Sequence, residues 1–416
     1  MDVKISKLGI DLFRNVSPVR EIMNFADPKR LAEFGINPSE LISFGGGWVN
    51  HASPKLLQEV YSKIVNDDKK FHFSGGYSPT NGESIFKEAV VRFENHLFNM
   101  IGLAADNIVA GQSSTELTHL LFAVLLNEGE KICLLDPSYC NYPLQITTGS
   151  KARIIRFPVI DEKTFEYIAN ESATIDKFQE FLKFEKPKVI LLVSPDNPSS
   201  QILSNDFIKK THETVKSYGG VIVVDFAYKT LVFNKVPEYY SWAPDGNYIS
   251  IHSNSKWCRG LGRRLGWIEA PKYIVDSLES FQNTAILSPD RLHQMAFAEY
   301  IDYAISDGSL KTYFNETREL YKKTAEFTLD AITEYIKLPH LKPQGGLYTC
   351  IKVSVMSAKF VEDLLKETGV LFIPGWGFGR TLTKSVRVSY GPLVNDHAQI
   401  RKGIEKVGFF LKKRDV

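Results

Sequence analysis

The sequence predicts an α/β fold: a large domain with a mostly parallel seven-stranded sheet between helices, plus a smaller α+β domain. Three observations carry that expectation. Seven short runs rich in β-branched residues lie between about residues 100 and 270. Several are separated by segments with apolar residues at helical spacing. Beyond residue 270 the texture changes to long helical patterns with only a few short strand-like runs.

The strands are expected at 107–111, 131–136, 152–158, 188–194, 221–225, 248–253 and 265–270. VILLV at 189–193 and VIVV at 221–224 are continuously apolar, as strands covered on both faces must be. Helical spacing at 115–126 and 205–218 supplies two of the covering helices. In the C-terminal third, helices are expected at 273–281, 291–305 and 310–336, interrupted by Ser288-Pro289. Short strands at 347–353, 370–373 and 386–389 alternate there with helices at 358–368 and 396–412. The first fifty residues show little regular pattern and are expected to pack on the smaller domain or on a partner subunit. The expected division is 1–50 as an N-terminal arm and part of the small domain, 51–285 as the large domain, and 286–416 as the small one. No internal repeat or low-complexity segment interrupts it.

Composition narrows the function classes. In 416 residues, 44% are hydrophobic and 24% charged, which excludes a long disordered chain. Fifty Lys and Arg against 48 Asp and Glu leave a net charge of +2, with no run that steers the protein to nucleic acid or a membrane surface. Cys133, Cys140, Cys258 and Cys350 lack metal-site spacing, so neither zinc nor a disulfide framework is expected. The N-terminus carries no apolar run of signal-peptide length, and the longest apolar stretches are strand-sized. A cytoplasmic location is the expectation.

Sites in open α/β sheets gather at the carboxyl ends of the strands. The first strand runs into Gly111-Gln112-Ser113-Ser114-Thr115, hydroxyls and free N–H groups at a helix start that suit a phosphate, or simply cap the helix. The second leads to Tyr139, which can stack on a flat ring or pack at a rim. The fourth leads to Asn197 between prolines, a turn residue with a free amide. The fifth ends on Asp225, with Tyr228 three residues on. A carboxylate there needs a cationic partner, such as a protonated ring nitrogen, unless it caps a helix. The sixth ends Ser253-Asn254-Ser255-Lys256, with Arg263 and Arg264 following; nearby cations lower a lysine's pKa and suit a Schiff-base former. Arg387, inside a strand-like run of the small domain, suits a carboxylate fork. Each has an ordinary structural reading alone. Their joint order describes one cofactor with a phosphate, a flat ring, a phenolic oxygen, a ring nitrogen and an aldehyde: pyridoxal 5′-phosphate.

On these residues the sequence resembles the fold-type I pyridoxal-phosphate enzymes, specifically class I/II aminotransferases related to the aspartate and kynurenine/aminoadipate aminotransferases. Further landmarks are Ser43-Phe44-Gly45-Gly46-Gly47, Tyr77-Ser78-Pro79-Thr80-Asn81-Gly82, Pro343-Gln344-Gly345-Gly346-Leu347-Tyr348 and Gly369 to Gly375. The resemblance implies that Lys256 forms the internal aldimine and shuttles the proton, Asp225 holds the pyridine nitrogen protonated, and Tyr139 stacks on the ring. It implies Asn197 and Tyr228 at the phenolic oxygen. Gln112, Ser113, Ser114, Ser253 and Arg264 would hold the phosphate, with Tyr77 from the other subunit of a homodimer. Arg387 would clamp the substrate carboxylate with help from Asn197, and Gly47 and Trp48 would border the substrate.

Three departures bear on the reaction: Ser199-Ser200 where the family usually has Thr-Gly, bulky Trp257-Cys258-Arg259 after the lysine, and Trp48 where a proline-containing turn is common. His51 and Arg259 are further candidates near substrate, and Arg20, Arg30 and Arg259 for a second carboxylate. The expected activity is transfer of the amino group of an L-amino acid to a 2-oxo acid. The departures keep open a pyridoxal-phosphate lyase, cyclase or amino acid oxidase. A non-catalytic regulator is disfavoured, because the family pattern already begins at residue 43 and Lys256, Asp225 and Arg387 are retained.

Overall fold

The computed structural model describes residues 4–14 and 24–414. Twelve strands are formed among them, β1 to β12 in chain order. The central sheet contains β2 (Ile108–Gly111), β3 (Lys131–Asp136), β4 (Arg153–Pro158), β5 (Val189–Val193), β6 (Val221–Asp225), β7 (Tyr248–Ser253) and β8 (Gly266–Glu269). Their order is β2-β8-β7-β6-β5-β3-β4. β8 runs antiparallel to both neighbours, and the pairs among β3 to β7 are parallel. Each strand lies within about one residue of its sequence expectation, because continuous apolar runs have few alternative ways to be buried.

Successive residues of these strands feed two different apolar layers. Ile190, Leu192, Ile222 and Val224 join helices Ser84–Phe98 and Arg291–Ser306 on one face. Leu191, Val193, Val223 and Ile251 join helix Ser114–Leu125 on the other. Caps fix where helices begin. Ser113 accepts the Glu116 N–H at 3.2 Å, Ser204 that of Phe207, and Asp290 that of His293.

The second core is built from Tyr321, Ala325, Phe360, Leu364, Val386, Val388 and Ile404, joined by Phe25, Leu31, Ile42 and Phe44. Residues from 25 onward in the expected arm therefore pack on the C-terminal unit. β1 (Ile42–Ser43) pairs in parallel with β10 (Val370–Leu371), and β11 (Ile373–Pro374) pairs with β12 (Ser385–Ser389), itself paired to β9 (Tyr348–Lys352). The single strand expected at 370–373 is thus two, each serving a different sheet.

Helix Arg291–Ser306, placed by the sequence in the smaller domain, packs instead on the large sheet's face through Phe297, Tyr300 and Ile301. The changeover between cores falls inside helix Ser309–Ala331, with Phe314 in one and Tyr321 in the other. Among the described residues no helix is long and apolar enough to cross a membrane.

Candidate active site

A cavity of about 460 Å³ opens where the carboxyl ends of β3, β5, β6 and β7 meet the C-terminal unit. Topology alone brings Tyr139, Asn197, Asp225 and Lys256 to it, from four separate strand ends. Arg387 arrives from β12 of the other unit, and Gly47 and Trp48 from the segment that crosses between them.

Asp225 is buried at the end of β6. Its Oδ2 accepts the Tyr142 hydroxyl at 2.7 Å and its Oδ1 the Ala227 N–H at 2.8 Å. Burial raises its pKa, while these two donors and the charges of His252 and Lys256 pull the other way. Among the described residues no lysine or arginine forms an ion pair with it. Lys256 donates from Nζ to the Gly47 carbonyl at 2.6 Å. Its pKa falls from 10.5 to about 8, chiefly by burial, then by the neighbouring Arg387 and Arg264 charges, with Asp225 opposing. The amine is therefore available as a nucleophile and base near neutral pH.

Arg387 is 5% exposed and firmly aimed. Nη1 donates to Asn197 Oδ1 and Nη2 to the Gly45 carbonyl, both at 2.9 Å, while Nε has no partner among the described residues. The guanidinium lies 4.4 Å from the Tyr348 ring centroid and 5.1 Å from that of Phe378. The Tyr348 hydroxyl in turn meets the Tyr228 hydroxyl at 2.6 Å. A Cβ on Gly47 would come within 3.1 Å of that Tyr348 oxygen, so a side chain there would press on the Tyr348–Tyr228 pair.

Ser114, Ser253 and Arg264 also line the cavity. Arg264 is exposed, and its positive φ of 46° turns the chain back toward β8. The remaining phosphate candidates are placed differently. Gln112 is exposed and outside the lining, its N–H donated to Glu116 Oε2; the Ser113 hydroxyl is the helix cap. Tyr77 is 79% exposed and does not reach the cavity of its own chain. Trp48 stands half exposed at the rim. His51 is buried between the Tyr321 hydroxyl and the Trp257 carbonyl, each at 2.9 Å, so it is a packing residue. Arg259 is exposed outside the lining, Arg30 stacks on Phe25 and Phe34, and Arg20 lies outside the described residues.

The structure accounts for two of the departures noted in the sequence. Ser200, where the family pattern expects glycine, has φ 56° and is held there by accepting the Tyr348 N–H at 3.0 Å. That bond offsets the roughly 1–2 kcal/mol a side chain pays in this region. Trp257 is 2% exposed and packs with Phe93, Tyr300 and Phe314, away from the cavity. Sequence reasoning missed Tyr142 and Cys140, which line the cavity from the turn after β3, and assigned no role to Tyr348. Tyr142 carried a signal: it lies three residues beyond Tyr139 in the same strand-end turn.

The family model for aminotransferase class I and II matches residues 41–407. The chain is 23% identical over 394 residues to an aspartate aminotransferase of Pyrococcus abyssi, covering 93% of this chain and 96% of the relative. It is 24% identical over 398 residues to aromatic-amino-acid aminotransferase 2 of Thermococcus litoralis, with the same coverages. Among solved structures, the aspartate aminotransferase of Thermus thermophilus with maleate superposes with a TM-score of 0.83 at 18% identity, over 98% of this chain and all of that one.

Proposed function

Because the chain belongs to the class I and II aminotransferases, and so transfers amino groups with pyridoxal 5′-phosphate, we propose that this cavity is its active site, with Lys256 binding the cofactor and Arg387 the amino acid. The observation that carries this reading is the convergence of Lys256, Asp225 and Arg387 on one cavity from both units of the chain. The donor set fits the cofactor. Asp225 is a buried carboxylate without an ionic partner among the described residues, and a protonated pyridine nitrogen would supply the missing charge. Tyr139 offers a ring face. Asn197 and Tyr228 offer donors for the phenolic oxygen. Ser114 at a helix start, Ser253 and Arg264 offer a phosphate site.

When bound, the cofactor supplies the electron sink that stabilises charge at the amino acid's α-carbon. The chain's residues do the rest. Arg387 receives the α-carboxylate on its fork and fixes the direction of the α-carbon's bonds. Lys256 Nζ, with its pKa near 8, is the base that removes the α-proton. Asp225 would face the ring nitrogen as its counter-charge, and the Tyr142 hydroxyl holds that carboxylate in place and favours its ionised form against the opposing effect of burial.

The lining formed by this chain's own residues best suits a donor amino acid with a neutral, apolar side chain. Arg387 and Arg264 are committed to carboxylate and phosphate, and Cys140, Leu261, Ile373 and Phe378 line the rest of the space. A second substrate carboxylate would be buried there without a partner among the described residues. The test is the visible spectrum of the holoenzyme as amino acids are added without keto acid. L-Phenylalanine or L-leucine is expected to bleach the lysine-bound cofactor roughly tenfold or more faster than L-aspartate. Faster bleaching by aspartate would overturn this donor assignment.

Tyr77, exposed in the single chain, completes the phosphate site of a partner subunit, so the working form is a homodimer. Gel filtration with turnover assays on the fractions is expected to place activity in the dimer peak; full activity in a monomer peak would refute it. The four buried, unpaired cysteines support a reducing, cytoplasmic setting.

A further inference from the structure

Behind the cavity, on the opposite face of the sheet, lies a buried ionic cluster that the transamination chemistry does not use. Glu94, Lys229, His252 and Glu269 are each at most 3% exposed. Lys229 Nζ donates to Glu94 Oε2 at 2.5 Å. His252 sits between the two carboxylates, Nδ1 3.4 Å from Glu94 Oε1 and Nε2 3.2 Å from Glu269 Oε2. Trp267 Nε1 and Ser250 Oγ each donate to Glu269 at 3.0 Å, and the Trp267 ring stacks on His252 with centroids 5.1 Å apart. Three of these groups have ligand atoms within 4.8 Å of one another, a spacing that would also suit a metal, but the Lys229 ammonium already supplies the cation.

Stability is a weak reason for such a cluster. Burying ions costs several kcal/mol each, and apolar residues of the same volume are often as stable. Its position is more informative. Lys229 directly follows Tyr228, and its N–H closes the turn by donating to the Phe226 carbonyl at 2.9 Å. His252 directly precedes Ser253, four residues before Lys256. Strand alternation sends Asp225 and Ser253 to the cavity face and His252 to the cluster face. Ala227 and Ser253 border both the cavity and the small space around the cluster. Glu94, on helix Ser84–Phe98, is the anchor outside the sheet.

We propose that Lys229 is a positioning residue: tied to Glu94 and, through it, to His252 and Glu269, it fixes from behind the turn presenting Tyr228 and the strand end presenting Ser253 and Lys256. This rests on the assignment of those three residues to the cofactor site. A displaced Tyr228 would donate less well to the cofactor's phenolic oxygen, which would hold its negative charge less easily.

The test is a pH titration of the visible band of the holoenzyme. Lys229→Met/Glu94→Gln removes both charges together and leaves no lone ion behind. It is expected to move the midpoint up by about one pH unit, the size of one charge-assisted hydrogen bond, and to speed cofactor loss on dialysis about tenfold. Glu94→Gln alone keeps an acceptor for Lys229 and is expected to shift the midpoint in the same direction by less; it decides the matter if the double variant does not fold. Unchanged midpoints and retention, whatever the melting temperature, would overturn the positioning role alone. A wild-type band that survives Lys256→Ala would overturn the site assignment and this role together.

Discussion

Lys256→Ala is expected to lower keto-acid formation by about four orders of magnitude, the upper range for loss of a positioned proton-transfer group. The visible band of the lysine-bound cofactor should vanish with it, while the protein stays folded. Folding should survive because the lysine is a cost to the cofactor-free fold. Its pKa is lowered from 10.5 to about 8, so at pH 7 a charged amine is held where burial and two arginines disfavour it. The sign follows from proton counts. Below about pH 8 both folded and unfolded states carry the proton and the full penalty applies. Between about pH 8 and 10.5 the unfolded chain binds more protons, so stability from this group rises with pH. Cofactor-free wild type and Lys256→Met should therefore differ most in melting temperature at pH 7, with the variant favoured, and converge by pH 10. A gap independent of pH would mean the amine is solvated. Wild-type turnover in Lys256→Ala would remove the lysine from the chemistry altogether.

The reach of the sequence differs between fold and site for physical reasons. VILLV and VIVV could be placed because a buried parallel strand is written in consecutive residues, and the structure buries every one of them. Lys256, Asp225 and Asn197 were legible because a strand-end position is itself a consequence of that local pattern. Contacts between strand ends were not. Nothing in the chain order says that the Tyr142 hydroxyl reaches Asp225, 83 positions away, or that Tyr348 meets Tyr228, 120 away. His51 was a candidate near substrate and Trp257 a bulky departure beside the lysine, yet neither lines the cavity. Their burial in a separate aromatic layer depends on helices Ser84–Phe98 and Ser309–Ala331 closing over them. Lys229 gave no sign at all: a charge beside a site tyrosine is ordinarily solvated, and only the position of Glu94 shows otherwise.

Arg387→Lys is expected to raise KM for the amino acid about 100-fold and to lower kcat about tenfold. The charge is kept but the fork is lost, and with it one charge-assisted hydrogen bond worth about 1.5–3 kcal/mol. The kcat arm follows from orientation: with one contact in place of two, the substrate rotates and its α-C–H bond leaves the direction of the Lys256 amine. Side-chain mobility in the wild type is low, because Asn197, the Gly45 carbonyl and the rings of Tyr348 and Phe378 hold the guanidinium on several sides. Arg387→Gln separates charge from geometry. It removes a cation that lowers the Lys256 pKa, so amine labelling of the cofactor-free protein should titrate above about pH 8 in this variant and remain near it in Arg387→Lys. A simple amine lacking the carboxylate should react with wild type and Arg387→Lys at similar rates. If instead KM for the amino acid is unchanged in Arg387→Lys, the carboxylate binds elsewhere, and the neutral-donor assignment falls with it because Arg387 would then be free to take a side-chain carboxylate.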